Sequence, residues 1–163
     1  MSQASTKKSG GKPKRGGARS ASRLAAVQAL YQTEMEQPAL TIDQAISQFI
    51  DHRNGETIDE VEMVAFTPDF FKDIAKGGWD RRKEWDNQLI LFLAEGWTVN
   101  RLNSLTRAIL RCACYELTAR IDVPRGSIIN EYLDVAHAFQ EKSEVSFING
   151  ILDKLADRIR GTK

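Results

Sequence analysis

Apolar residues recur at intervals of three and four along nearly the whole chain, the period of helices that each bury one stripe. Leu24, Val27, Leu30, Tyr31 and Met35 predict a first helix over about 20–36, closed by Pro38. Ile42, Ala45, Ile46, Phe49 and Ile50 form one face of a second, with Thr41 and Gln44 spaced as a capping box and Asn54-Gly55 as its stop. Residues 56–66 read ambiguously, although Thr57 and Glu60 could open a short helix carrying Val61, Val64 and Ala65. Thr67 as cap and Pro68 at the first helical position begin a third, packed through Phe70, Phe71, Ile74 and Ala75 and expected to end at Gly77-Gly78. A fourth, around 80–95, buries Trp85, Leu89, Phe92 and Leu93 and stops at Gly96. Between 103 and 120 the apolar residues cover more than one face, which predicts a central helix surrounded by others. After a turn at Val123-Pro124-Arg125-Gly126, Ser127 is expected to cap a helix with Ile129, Tyr132, Leu133, Ala136 and Phe139 inward. The last helix, near 143–160, sets Ile148, Ile151, Leu152, Leu155 and Ile159 on one stripe. No run of four or more residues alternates strictly between apolar and polar with turn signals around it, so the expected fold is all-α.

Length and composition add limits. At 163 residues and 42% hydrophobic, the chain is one domain with a real core. Its longest apolar run, Leu89 to Ala94, falls far short of the roughly 18 residues of a membrane span. The basic amino terminus has no apolar segment behind it and does not read as a secretory signal. With Cys112 and Cys114 alone there is no disulfide scaffold, and the expected compartment is the cytoplasm.

Charge changes the picture more. Lys7, Lys8, Lys12, Lys14, Arg15, Arg19 and Arg23 stand in residues 1–23 without one acid, against 16 basic and 22 acidic residues in the remainder. An overall charge of +1 thus divides into +7 at the start and −6 in the body. Residues 1–18, rich in Lys, Gly, Ser and Ala, offer too little apolar surface to offset ordering. They are expected to form a disordered basic tail ahead of a helical domain over 19–163. Such a tail suits capture of a polyanion, because each cation that meets a phosphate releases condensed counterions. Lys14 and Arg15 would add nonspecific affinity, while Arg19 and Arg23, four apart, share a face if the first helix begins early enough. Charge alone does not choose among RNA, DNA and an acidic lipid surface.

Catalytic and metal readings find little support. Cys112 and Cys114 point about 200° apart on a helix, and His52 and His137 are distant in sequence, so buried thiols are expected and no zinc site or cofactor. His137 and Glu141 read as a surface pair one turn apart. The glycine pairs Gly10-Gly11 and Gly16-Gly17 lack the strand-loop-helix setting of a phosphate loop. Arg81-Arg82-Lys83 is a solvated face or a phosphate contact.

Four strings, taken in order, resemble the NusB family of transcription antitermination factors. They are Arg23 with Ala26-Val27-Gln28-Ala29-Leu30-Tyr31-Gln32, then Ala108-Ile109-Leu110-Arg111-Cys112-Ala113-Cys114-Tyr115-Glu116-Leu117. Asp122-Val123-Pro124 with Ile129-Asn130-Glu131, and Phe147-Ile148-Asn149-Gly150-Ile151-Leu152-Asp153-Lys154, complete the set. The resemblance implies a bundle of about seven helices in two packed sub-bundles, without catalytic activity. It implies binding of boxA-type single-stranded RNA in nascent ribosomal transcripts together with NusE, a small-subunit ribosomal protein. Other antitermination factors and RNA polymerase would be indirect partners, and no membrane is involved. By position it implies RNA contacts at the arm (Lys14, Arg15, Arg19, Arg23), at Arg111, and at Ser146, Phe147 and Asn149. Tyr31 and Thr106 fall where the family meets its protein partner. Phe147 lies just off the last apolar stripe, so its ring could stack on an unpaired base or belong to the core. The arm is diluted by Gly16, Gly17 and Ala18, Thr106 stands where an acid is usual, and Ser143 and Ser146 replace charged residues. Two rivals remain: an RNA-docking unit of an rRNA cytosine methyltransferase system, and a helical scaffold with a nonspecific basic tail.

Overall fold

The computed structural model describes residues 17–52, 57–58, 61–62 and 66–161. Seven α-helices make up nearly all of this: α1 (Gly17–Glu36), α2 (Ile42–His52), α3 (Pro68–Asp80), α4 (Arg82–Leu89), α5 (Ser104–Ala119), α6 (Arg125–Phe139) and α7 (Lys142–Arg160). Short 3₁₀ turns at Ile90–Phe92 and Val99–Arg101 link α4 to α5. Helix α5 is the hub, touching α1, α3, α4, α6 and α7. Around it, α1, α2 and α3 pack as one sub-bundle, and α6 and α7 join α5 in a second. The all-α class is the one expected from the periodicity, and the two-part arrangement is the one the resemblance implied. No described helix is long and apolar enough to cross a membrane.

Local chemistry explains most boundaries. The capping box at α2 is formed: the Thr41 amide donates to Gln44 Oε1 at 2.9 Å and the Gln44 amide to Thr41 Oγ1 at 3.1 Å. Asn103 caps α5 by accepting from the amides of Leu105 (2.9 Å) and Thr106 (3.3 Å). Thr67 precedes α3 but makes no side-chain cap; its amide donates to Ser22 Oγ at 2.8 Å, tying α3 to α1 instead.

Five expectations need correction. Helix α1 begins at Gly17, and its inward face is the small one, with Ala25, Ala26, Val27, Ala29 and Leu30 buried while Tyr31 and Met35 stand exposed. Thr57–Ile58 pairs antiparallel with Val61–Glu62 where a short helix was conceivable, and the rest of 56–65 lies outside the described residues. Helix α3 does not stop at Gly77-Gly78 but runs on to Asp80, burying Gly78 and Trp79. Helix α4 ends at Leu89, tightens into a 3₁₀ turn and leaves helical geometry at Leu93, so Phe92 and Leu93 are only half-buried. Helix α6 starts from Pro124, whose missing N–H costs nothing there, and buries Ile128, Tyr132, Val135 and Ala136, which turns Phe139 outward.

Helix direction fixes what can meet what. Ion pairs Arg23–Glu116 and Arg107–Glu34 make α1 antiparallel to α5. Bonds from Thr106 to Glu144 and from Arg160 to the Leu117 carbonyl make α7 parallel to it.

Candidate functional site

At the carboxyl end of α5, the start of α1 lies over the ring of Phe70. The Arg19 guanidinium is 4.5 Å from that ring's centre, Arg23 5.0 Å and Arg120 4.9 Å. Arg19 and Arg23 therefore do share a face, but only Arg19 is exposed. Arg23 is 4% exposed and grips the fully buried Glu116, Nε to Oε1 at 2.9 Å and Nη2 to Oε2 at 2.6 Å. The Tyr132 hydroxyl donates to the same carboxylate at 2.8 Å, and Glu131 lies 3.7 Å from Arg23. Burial alone would pull the Arg23 guanidinium down, yet the bond and charge of Glu116 outweigh it and hold it above its ordinary value. Burial, reinforced by Glu116, pushes the Tyr132 phenol well up. Arg23 is thus a core group committed to carboxylates, and the sequence expectation that it faces a phosphate gives way to that role. Lys14 and Arg15 lie outside the described residues.

Arg111 tells the same story on another face of α5. It is 4% exposed, bonded to Asp86 at 2.9 and 2.8 Å, with Glu34 at 3.7 Å. Arg107 shares Glu34 at 3.1 Å and donates to the Asn100 carbonyl at 3.0 Å. The pair staples α1 and α4 to α5, so Arg111 is held away from any external phosphate. Thr106 is wholly buried; its hydroxyl donates to Glu144 at 2.5 Å and accepts from Gln140 at 3.1 Å. It fastens the α6–α7 junction to α5 and does not reach a partner surface.

The exposed candidates gather at the amino end of α5. Ser146, Phe147 and Asn149 are exposed on α7, with Phe147 at 37%. Phe147 lines an open groove of about 390 Å³ with Leu93, Trp97, Arg101, Leu102 and Ser143. Gly96, at φ +88°, makes the turn that presents Trp97, and the Trp97 amide donates to the Ala94 carbonyl at 3.0 Å. Val99 and Leu102, three apart on the 3₁₀ turn, are buried and so leave Arg101 outward. Its guanidinium stacks 4.6 Å from the Trp97 ring. A second groove, of about 460 Å³, is lined by Gln28, Tyr31, Ser104, Leu105, Phe139 and Gln140, with Tyr31 40% and Phe139 50% exposed. Asn103 lines both grooves.

Trp97 and Arg101 were missed in the sequence reading. The signal was a tryptophan in a Gly-Trp-Thr turn with an arginine four residues on, a place where no apolar stripe calls for an indole. The structure also separates what the sequence joined. Helix α5 has 16 residues, so at about 1.5 Å each Arg19 and the Phe147 groove stand at ends roughly 24 Å apart.

Other candidates resolve into structure. Arg81 pairs with Glu84 at 2.9 Å, and Arg82 lies 3.9 Å over the Trp79 ring and donates to its carbonyl, so two members of the basic triplet are engaged. Cys112 and Cys114 are fully buried, and burial pushes both thiols up, far from the reactive range. Among the described residues no His, Cys, Asp and Glu side chains gather as a metal site.

The family model described as NusB family matches residues 20–157. The chain is 48% identical over 145 residues to the "Transcription antitermination protein NusB" of Novosphingobium aromaticivorans, covering 89% of this chain and 97% of that one. It is similar to the solved structure of T. maritima NusB, with a TM-score of 0.70 at 27% identity over 85% of this chain and 90% of that one. A chain in the crystal structure of antitermination factors NusB and NusE with dsRNA shares the fold, with a TM-score of 0.69 at 17% identity over 86% and 97%.

Proposed function

The chain belongs to the NusB family, and on that premise we propose that it is a non-catalytic transcription antitermination factor. It holds boxA-type single-stranded RNA of nascent ribosomal transcripts jointly with NusE, and meets RNA polymerase only through the assembled complex. The observation that carries this reading is the pair of adjoining grooves at the amino end of α5, both faced with exposed aromatic side chains. One is fitted to unpaired bases and the other to an apolar protein surface. The structure of NusB and NusE in complex with dsRNA, which shares this fold, supports RNA and NusE as the classes of partner. Ser146, Phe147 and Asn149 take the RNA at one end, Arg19 with Lys14 and Arg15 of the arm at the other, and Tyr31 faces NusE. Arg23, Arg111 and Thr106 contribute by holding the scaffold that presents them. Relatives matched over nearly their whole length bear the antitermination name, which disfavours the methyltransferase alternative.

If about five phosphates are engaged, single-strand binding weakens with a slope near −0.7 per contact. Raising salt from about 50 to 200 mM then lowers affinity roughly a hundredfold. Titration of boxA RNA with and without NusE measures this, and removal of residues 1–18 is expected to weaken binding and flatten the slope. Equal affinity for scrambled RNA in the presence of NusE refutes sequence recognition, and an unchanged slope refutes the arm's part. Tyr31→Ala is expected to weaken NusE association about tenfold or more, as loss of an exposed aromatic anchor does. Calorimetry at fixed salt reads it, and unchanged affinity assigns NusE to another face.

A further inference from the structure

We propose that the groove between the 3₁₀ turn and α7 is a pocket for one unpaired nucleobase, stacked on the Trp97 indole with Arg101 as its cationic clamp. This rests on the RNA-binding reading above and names which part of the RNA that face takes. Trp97 is 42% exposed, whereas the other two tryptophans, Trp79 and Trp85, are 8% and 1% exposed. An exposed indole beside a second exposed ring, Phe147 at 37%, offers flat apolar area to the groove in addition to the part that Arg101 covers. The groove volume of about 390 Å³ sits at the low end for small-molecule sites, suited to a flat heterocycle.

Charge selects the occupant. Arg101 lies 4.6 Å over the indole, and among the described residues no carboxylate is paired with it. Its neighbour Arg107 is by contrast tied to Glu34 and to backbone carbonyls. Glu144 also lines the groove, but its Oε2 is already held by the buried Thr106 hydroxyl at 2.5 Å. A guanidinium with its face on a π-system and no carboxylate of the described residues on its edge keeps its N–H groups for a base or a phosphate. An apolar peptide would offer that edge only neutral carbonyls, whereas a nucleotide brings a phosphate anion together with a flat ring, so a nucleotide is the better fit.

Trp97 is also the reporter. Titrating a short boxA RNA into the full chain with NusE is expected to quench its emission, with the Trp97→Phe variant giving the background from Trp79 and Trp85. Trp97→Ala is expected to weaken RNA binding about 5- to 100-fold, the usual effect of removing one base stack, while Trp97→Phe retains most of the affinity. Arg101→Gln should weaken it as well. An RNA series with a single abasic position moved along the strand supplies the second arm. One position should lose about as much as Trp97→Ala, and that loss should vanish in the Trp97→Ala background. If the wild-type chain binds RNA but Trp97→Ala and Arg101→Gln bind equally well without quenching, the pocket is refuted and the RNA reading stands. Loss of NusE but not RNA in Trp97→Ala makes the groove a protein dock and refutes the pocket. Failure of the wild-type chain with NusE to bind any RNA overturns both.

Discussion

Glu116→Ala is expected to destabilise the protein by about 3–5 kcal/mol, because it strands the buried guanidinium of Arg23 and the hydroxyl of Tyr132 at once. Both donors sit where water does not reach: Arg23 is 4% exposed and Tyr132 is fully buried. Urea unfolding measures the loss, and thermal unfolding should fall by roughly 10 °C or more. Arg23→Ala is expected to cost a similar amount by leaving the Glu116 carboxylate alone. Replacing the whole set, Arg23→Met with Glu116→Leu and Tyr132→Phe, removes every stranded group and should recover most of the stability, since an apolar substitute for a buried ion pair is often close to neutral. That triple variant also separates structure from recognition. If Arg23 serves only the fold, its RNA affinity should stay within about twofold of the parent's. A Glu116→Ala protein within about 1 kcal/mol of wild type would falsify the structural role, and a stable triple variant that loses RNA would show that Arg23 also serves recognition.

The case of Arg23 shows what one sequence can and cannot disclose. Periodicity reports which side of a helix is apolar, and it located α2, α5 and α7 because their stripes of Ile, Leu and Phe face a single core. Caps are local chemistry, so the Thr41–Gln44 box was legible too. Burial of a cation is decided instead by a carboxylate distant in sequence. Glu116 lies 93 positions from Arg23, and Glu34 lies 73 from Arg107. Nothing local distinguishes Arg19, which faces solvent, from Arg23, which does not. The same holds for Thr106, whose partner Glu144 comes from α7. Exposed large apolar residues misled in the opposite sense. Tyr31, Met35 and Phe139 fall at core spacing, yet they face outward because small residues of α1 and the rotated face of α6 already fill the interior. The exposure of Tyr31 and Phe139 is what gives the amino end of α5 its second groove. An apolar residue on a predicted stripe that the packing leaves uncovered is therefore the feature to seek when looking for a recognition face.

Gly77→Ala should lower stability by about 3 kcal/mol, at the upper end of what overpacking costs, and so reverse the usual sign of that change inside a helix. In an exposed helix interior, alanine in place of glycine gains about 1 kcal/mol, the reason Gly77-Gly78 was expected to end α3. Instead, the two glycines let α3 lie close against its neighbours. A Cβ on Gly77 would meet the Tyr115 ring at 2.2 to 2.3 Å, and one on Gly78 would stand 3.1 Å from Leu30 and 3.5 Å from the Cα of Cys112. The Tyr115 ring has little freedom to retreat. Its hydroxyl donates to Asp73 at 2.5 Å, its edge meets Trp85 at 6.2 Å between centres, and the Arg81 guanidinium lies 5.9 Å from it. Trp85 in turn donates from Nε1 to the Gly77 carbonyl at 2.9 Å, so any shift of the ring disturbs the same turn of α3. Gly78→Ala should cost much less, since it presses mainly on a leucine methyl that can give by a few tenths of an ångström. Denaturant titration of the two variants reads the contrast, and adding Tyr115→Leu to Gly77→Ala should return part of the lost stability by opening the space. A Gly77→Ala protein more stable than the parent would mean that the helices are not held at this spacing, and that these glycines are incidental to the packing of α3 on α5.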